Sequence, residues 1–260
     1  MLQALRIAAT GMHAQQLNVD VLSNNIANLN TTGFKQSAAA FTDLVYQNRV
    51  GVGAITSSAG TLAPTGLQIG LGVSVGSTYR LMKQGNLSNT GNQFDVAVSG
   101  RGFFKVSMPD GTTTYTRDGT FTLNQDGQMV TKEGYAVDPA ITVPANAKDF
   151  TVTANGTVSA KVDNVTTQLG TLTLAMFTNE SGLESIGGNL YRETESSGAA
   201  SDTSPGESGS GSISQFFLET SNVDSIESIT RLITAQRAYE LNSKVISTSD
   251  EMLQTLTQMR

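Results

Sequence analysis

The chain has 260 residues, with 22 acidic side chains against 16 basic ones and a net charge of −6. An acidic balance without a basic patch argues against nucleic-acid binding, and zero cysteines exclude a disulfide framework, a thiolate zinc site and a cysteine nucleophile. No apolar run approaches the ~18 residues of a membrane span, and the N-terminus lacks the regions of a Sec signal peptide.

The first stretch, Met1 to Lys35, places apolar residues at Leu5, Ala9, Met12, Val19, Leu22, Ile26 and Leu29. With Gln16 filling one slot, the steps alternate between three and four, close to a coiled-coil seam. No proline interrupts the run, and the pattern predicts one helix of about 30 residues, roughly 45 Å long. Arg6 and Asp20 are the only charges before Lys35, so both faces are expected to be covered by protein. Asparagines at 24, 25, 28 and 30 then accumulate. Asn is a poor helix-interior residue, so these predict amides bonding across an interface, or a helix about to end. Asn30-Thr31-Thr32-Gly33 is a stop signal with Gly33 in a left-handed cap, and Phe34 packs back.

Ser37 to Tyr46 is mixed, with Ala38-Ala39-Ala40-Phe41 able to continue a helix. Gln47 to Val75 is rich in Gly, Ser and Thr, and reads as a long loop or extended hairpin; loops of that length are usually functional or disordered. From Ser77 to about Glu195 the period becomes two, as at Phe94, Val96 and Val98, with turns at Asp110-Gly111, Asp118-Gly119, Asp126-Gly127 and Glu133-Gly134. This predicts an all-β barrel or sandwich. Ser196 to Ser214 is low-complexity Ser/Gly and reads as a flexible linker. A short return strand follows at Ile213–Leu218. From Asn222 to Arg260 there is neither Pro nor Gly, and Ala235, Ala238, Asn242, Val245, Ser249, Met252, Leu256 and Met259 again step by three and four. Asp224 with Glu227 reads as a capping box. The expected class is therefore α+β: helices at both ends form a coiled-coil-like stalk around a central β domain. The expected divisions are 1–36, 37–76, 77–195, 196–220 and 221–260.

The residues supply no chemistry. His13 is the single histidine, with no second histidine or cysteine to build a zinc site or a nucleophile pair. Asn124-Gln125-Asp126-Gly127 fails the calcium-loop rule, because Thr122 stands where Asp is needed. Gly51-x-Gly53 and Gly70-x-Gly72 are not dinucleotide fingerprints. No catalytic residue, cofactor or metal is expected. Two thin helices cannot cover each other on all sides, so copies of the same chain are the expected partners. A monomeric binding module or adhesin with docked helices is the competing reading.

Two motifs at opposite ends carry a family resemblance. Ser23-Asn24-Asn25-Ile26-Ala27-Asn28-Leu29-Asn30-Thr31-Thr32-Gly33-Phe34-Lys35 resembles the N-terminal signature of bacterial flagellar rod and hook proteins. Glu219-Thr220-Ser221-Asn222-Val223-Asp224 with Ala235-Gln236-Arg237-Ala238-Tyr239-Glu240-Leu241-Asn242-Ser243-Lys244 resembles the other. The runs Leu62–Gly70, Gly85–Thr90, Val98–Phe104 and Gly182–Gly187 are similar to its distal-rod branch, so the likeness covers essentially the whole chain. Arg6 departs from it, standing where an aromatic residue is expected.

The resemblance implies a structural subunit that self-assembles into a hollow, rigid helical tube, transmits motor torque and passes exported subunits; a proximal-rod or hook subunit is the alternative. Implied assembly residues on the first helix are Leu5, Met12, Val19, Leu22, Asn24, Asn25, Ile26, Asn28, Thr32, Gly33 and Phe34. On the last they are Asn222, Val223, Ile229, Ile233, Ala235, Ala238, Tyr239, Asn242, Val245, Met252, Leu256 and Met259. Gln236, Asn242, Ser243, Ser247 and Ser249 are lumen-facing candidates. A stiffening insertion is expected at Gln47–Gly66, including Gly51, Gly53 and Pro64. Implied partners are further copies, proximal rod proteins, the hook protein, the P-ring and L-ring proteins and the flagellar type III export apparatus. The implied place is the basal body from periplasm to outer membrane, reached without a cleaved signal peptide.

Overall fold

The computed structural model describes residues 2–53 and 65–258. Its class is α+β, with a long helix near each end and β-structure between them. The residues group into two compact units. The first holds Met1–Ile26, Ser37–Tyr79 and Ser225–Arg260; the second holds Ala27–Gln36 and Arg80–Asp224.

The first unit contains helices α1 (Leu2–Ala27) and α2 (Ser225–Gln258) and strands β1 (Ser37–Asp43), β2 (Tyr46–Val50), β3 (Leu67–Gly70) and β4 (Val73–Arg80). β1 pairs with β4, and β2 with β3. The helices meet through small residues. Ala8 and Ala14 are buried on α1, and a Cβ added at Gly11 would lie 3.0 Å from Asn242 Nδ2. Gln16 and Val19 share a cavity with Gln236, Tyr239 and Glu240. Numbers fall along α2 as they rise along α1, so the helices run antiparallel.

α1 stops at Ala27, a few residues before the expected Asn30–Gly33 stop; the Thr31 hydroxyl donates to Asn28 Oδ1, and Gly33 takes the expected left-handed conformation, with a φ of 67°. One expectation fails here. Ser37–Asp43 is a strand rather than a helical continuation. Its alanines favour helix, but tertiary pairing overrides propensity. Besides β4, the buried Asn25 amide grips its first residue, donating to Ser37 O at 2.8 Å and accepting from Ser37 N at 2.8 Å. A side chain thus stands in for a neighbouring strand.

The second unit contains β5 (Leu87–Asn89), β6 (Val96–Ser99), β7 (Phe103–Ser107), β8 (Thr113–Thr116), β9 (Thr122–Leu123), β10 (Met129–Val130), β11 (Ala136–Asp138), β12 (Lys148–Val152), β13 (Thr157–Val162), β14 (Val165–Thr171), β15 (Leu174–Met176), β16 (Glu184–Gly187), β17 (Leu190–Arg192), β18 (Ser201–Thr203), β19 (Ser212–Gln215) and β20 (Phe217–Glu219). The largest sheet runs β16-β17-β8-β7-β11-β10-β9, with β15 joining β7 to β18; β12, β13 and β14 form a second. Successive side chains of a strand point to opposite faces, and β7 is buried on both. Phe104 packs with Val96, Phe121 and Leu174, while Phe103 packs with Tyr115, Phe177 and Tyr191. That explains two consecutive phenylalanines within a segment that otherwise alternates.

The Ser/Gly stretch after residue 195 is ordered structure, not a flexible linker. β18 lies within it and pairs with β15, and Ser197 is buried, its Oγ bonded to the Thr194 and Gly198 carbonyls. Its serines and glycines serve turns. The single return strand is two, β19 and β20, split at Phe216, whose φ is 68°.

The aromatic cluster around Phe103 makes an alkaline prediction. Burial first, and then the Glu193 carboxylate, push the Tyr115 phenol up to about 12. Burial also raises Tyr191. The folded chain keeps protons that the unfolded chain releases near the ordinary value of 10.0. Stability is therefore complete below that pH and falls as pH rises toward 12. In an absorbance titration, Tyr115 should stay protonated until the pH nears 12, and its ionisation should coincide with loss of circular dichroism. Early ionisation with the fold intact would contradict this.

Candidate functional site

The second unit joins the two ends of the chain through a buried ion cluster. Lys35 lies between α1 and β1, Glu219 ends β20, and Arg117 follows β8. Lys35 Nζ stands 2.5 Å from Glu219 Oε1, and Arg117 Nη1 stands 3.4 Å from Glu219 Oε2. All three side chains are almost wholly buried. Lys35 also donates to the Lys83 carbonyl at 2.9 Å, and the Gly85 N–H donates to Glu219 Oε1 at 2.8 Å. Only glycine allows that approach, since a Cβ at Gly85 would lie 2.0 Å from Thr220 O. Burial draws Lys35 and Arg117 below their ordinary values, and the Glu219 carboxylate opposes it at both. Two cations share one carboxylate, so Glu219 is the member neither can lose. Arg80 completes the surroundings, its guanidinium 5.7 Å from the Phe34 ring centre and 5.6 Å from that of Tyr191.

Asparagine closes the junction as well. Asn222 accepts from Gln36 N at 2.8 Å and donates to the carbonyls of Leu81 and Lys83. Gly33 N donates to the Glu219 carbonyl at 2.8 Å, and Asn189 donates to Thr32 O at 2.8 Å. Gly33, Phe34, Asn222 and the buried Val223 are thus engaged inside the chain. So are Asn25 and Leu22 in the first unit. Leu5, Met12, Val19, Ile26 and Asn28 are half-buried, and Asn24 is exposed while still bonded.

α2 has its sides reversed. The stripe it turns inward is small or polar: Ser228, Ala235 and Ser249 are buried, and half-buried Asn242 meets Gly11 at the same spacing of seven. The large apolar residues mostly lie elsewhere. Ile226, Ile229 and Ile233 are exposed away from it, exposed Leu241, Val245 and Met252 lie along one flank, and exposed Leu256 follows Ser249 at the same spacing of seven, counting 100° per residue. Tyr239 is exposed on the other flank, and Ala238 is half-buried. The heptad pattern therefore mixes two faces. Of the lumen-facing candidates, Asn242 and Ser249 lie in the inward stripe of the single chain, and Gln236, Ser243 and Ser247 are exposed. Met259 lies outside the described residues.

The β2–β3 hairpin occupies the ends of the expected stiffening insertion. Gln47 sits in β2 opposite Ile69; Gly51 and Gly53 are exposed and Gly66 is half-buried. Pro64 lies outside the described residues. Pattern reading missed the ion cluster; its signals were a lone lysine ending a nearly uncharged run and a lone glutamate after Phe-Phe-Leu. No helix is long and apolar enough to cross a membrane among the described residues.

Three family models match the chain: flagella basal body rod protein at residues 5–35, flagellar hook protein FlgE/F/G D1 domain at 97–160, and flagellar basal body rod FlgEFG protein C-terminal at 214–259. The chain is 52% identical to the flagellar basal-body rod protein FlgG of Caulobacter vibrioides over 261 aligned residues, covering 100% of both. It belongs to the FlgG family of flagellar basal-body rod proteins. The FlgG of Bacillus subtilis is 40% identical, again over 100% of both chains. A flagellar hook protein FlgE from Helicobacter mustelae is 42% identical over 138 residues, 53% of this chain and 30% of that one. The ion cluster takes one member from each region matched by a family model: Lys35 from the first, Arg117 from the second and Glu219 from the third.

Proposed function

We propose that this FlgG-family chain is a structural subunit of the distal rod that polymerises with copies of itself into a hollow helical tube. The observation that carries this reading is the reversed α2. Eight large apolar side chains are exposed on this one helix, on more than one side of it. Each returns about 1.5–3 kcal/mol when fully buried. A single two-fold partner covers one patch; covering several sides needs several neighbours, and head-to-tail contacts that do not close give a filament. The expected coiled-coil-like packing then extends across copies, and the two helices reach full order as they assemble. Exposed Gln236, Ser243 and Ser247 suit a wet lumen. The β2–β3 hairpin is the proposed stiffening wedge between neighbours, and the β-rich unit the proposed barrel- or sandwich-like body. Proximal rod and hook proteins are the proposed axial neighbours, with the P and L rings outside and the type III export apparatus as the supply route.

Ile233→Asp tests this. Ile233 is 47% exposed, so the thermal transition should stay where it is. Filaments of the unaltered chain, seen by negative-stain electron microscopy at high concentration, should disappear. Filaments forming at the same protein concentration as before would reject the reading.

A further inference from the structure

The first turns of α1 and the base of the β2–β3 hairpin border a half-open cavity of about 960 Å³ within the first unit. That is the upper end of the ~300–1,000 Å³ typical of binding pockets. Leu2, Ala9, Leu44, Val45 and Leu71 give it an apolar wall, and Arg6 is its one charged lining residue. Arg6 has no ion-pair partner among the described residues. Gln3, also on the wall, has its Nε2 buried without an acceptor. Its described lining is therefore mostly apolar with one unpaired cation, and none of those described residues comes from α2 of the same chain.

The far end of α2 has the complementary chemistry. Gly11 faces Asn242, the helices run antiparallel, and each residue advances 1.5 Å, so Leu2 is level with roughly residue 251. The last turns of α2 run past the start of α1. Met252 and Leu256 are exposed there, four apart and hence on one face. Glu251 and Asp250 precede them in the same turn, at least 100° around the helix, exposed and without an ion-pair partner among the described residues. The final helical carbonyls lack intrahelical donors and carry the negative end of the helix dipole.

We propose that the cavity receives the end of α2 from a second copy of this chain. Met252 and Leu256 enter the apolar wall, and Arg6 pairs with Glu251 on the adjacent side of the helix. Knob and socket are different surfaces, so the contact is head-to-tail and propagates instead of closing on itself. The inference rests on the self-assembly reading and gives it a specific joint.

The absence of cysteine allows a clean test. Val45→Cys and Leu256→Cys are made in separate full-length chains. Both side chains are exposed, at 77% and 53%, so neither change disturbs folding. The two are mixed under filament-forming conditions with a short bis-maleimide. The expected result is a cross-linked dimer abundant only in the mixture and only when filaments are present. Arg6→Glu should lower its yield at least tenfold, and adding Glu251→Arg in the other chain should restore it. Filaments without a mixture-specific dimer, or a yield indifferent to Arg6→Glu, would overturn the joint and leave self-assembly standing. Absence of filaments from the unaltered chain, even when sheared filament seeds of a related rod protein are added, would overturn both.

Discussion

Glu219→Gln should destabilise the β-rich unit by about 3–5 kcal/mol, the cost of leaving buried charge without its partner. For a unit of this size that corresponds to a fall in melting temperature of roughly 6–20 °C. The reason is the two-to-one stoichiometry: Glu219 alone answers both Lys35 and Arg117. The amide is nearly isosteric, so packing survives and the loss reports electrostatics. A triple variant, Lys35→Met with Arg117→Met and Glu219→Leu, should recover most of it, since buried ion groups can often be replaced by apolar side chains of similar volume. Differential scanning calorimetry of the full chain reads both. A Glu219→Gln transition within ~1 kcal/mol of the original would mean that water reaches the cluster.

Asn25→Leu should cost about 2–6 kcal/mol in the helical unit, because two backbone groups of Ser37 lose their partners and each buried orphan costs about 1–3 kcal/mol. The side chain is 2% exposed, so water cannot substitute. Asn25→Asp separates the two bonds: it still accepts from Ser37 N and no longer donates to Ser37 O. Its effect should fall between those of the native residue and leucine. Hydrogen exchange gives a local reading, with the Ser37 amide losing protection in the leucine variant and keeping it in the aspartate variant. An amide protected equally in all three would refute the strand-mimic role.

What the sequence could disclose depended on distance along the chain. The terminal helices and the β-rich middle were legible because a seam at steps of three and four, or alternation around Asp-Gly turns, is a local pattern. Ser37–Asp43 was not, since its alanines favour helix and its strand partner starts at Val73. The serine and glycine stretch near residue 200 was misread because flexible linkers and tight turns share a composition. On α2 the heptad merged two faces, as Ser249 and Met252 show. Lys35 and Glu219 lay within family signatures, yet their pairing was invisible: 184 positions separate them. The asparagines could be recognised as important, but their role as backbone partners needed the folded chain.

The β-rich unit borrows Ala27–Gln36 from the start of the chain, and this fixes what an autonomous fragment must contain. Bringing ends 184 residues apart together costs on the order of 4–5 kcal/mol in loop-closure entropy, a sum offset by the bonds that join them. A fragment cut at 77–195, where the alternating pattern begins and ends, would discard Lys35, Glu219, β19 and β20 and leave Arg117 in an apolar interior without a counter-ion. A fragment spanning 27–224 keeps every one of those partners and omits nearly all of both helices. The electrostatics of the interior thus set the limits of a viable fragment: a product that loses Lys35 or Glu219 carries an uncompensated charge where the intact protein carries a neutralising contact.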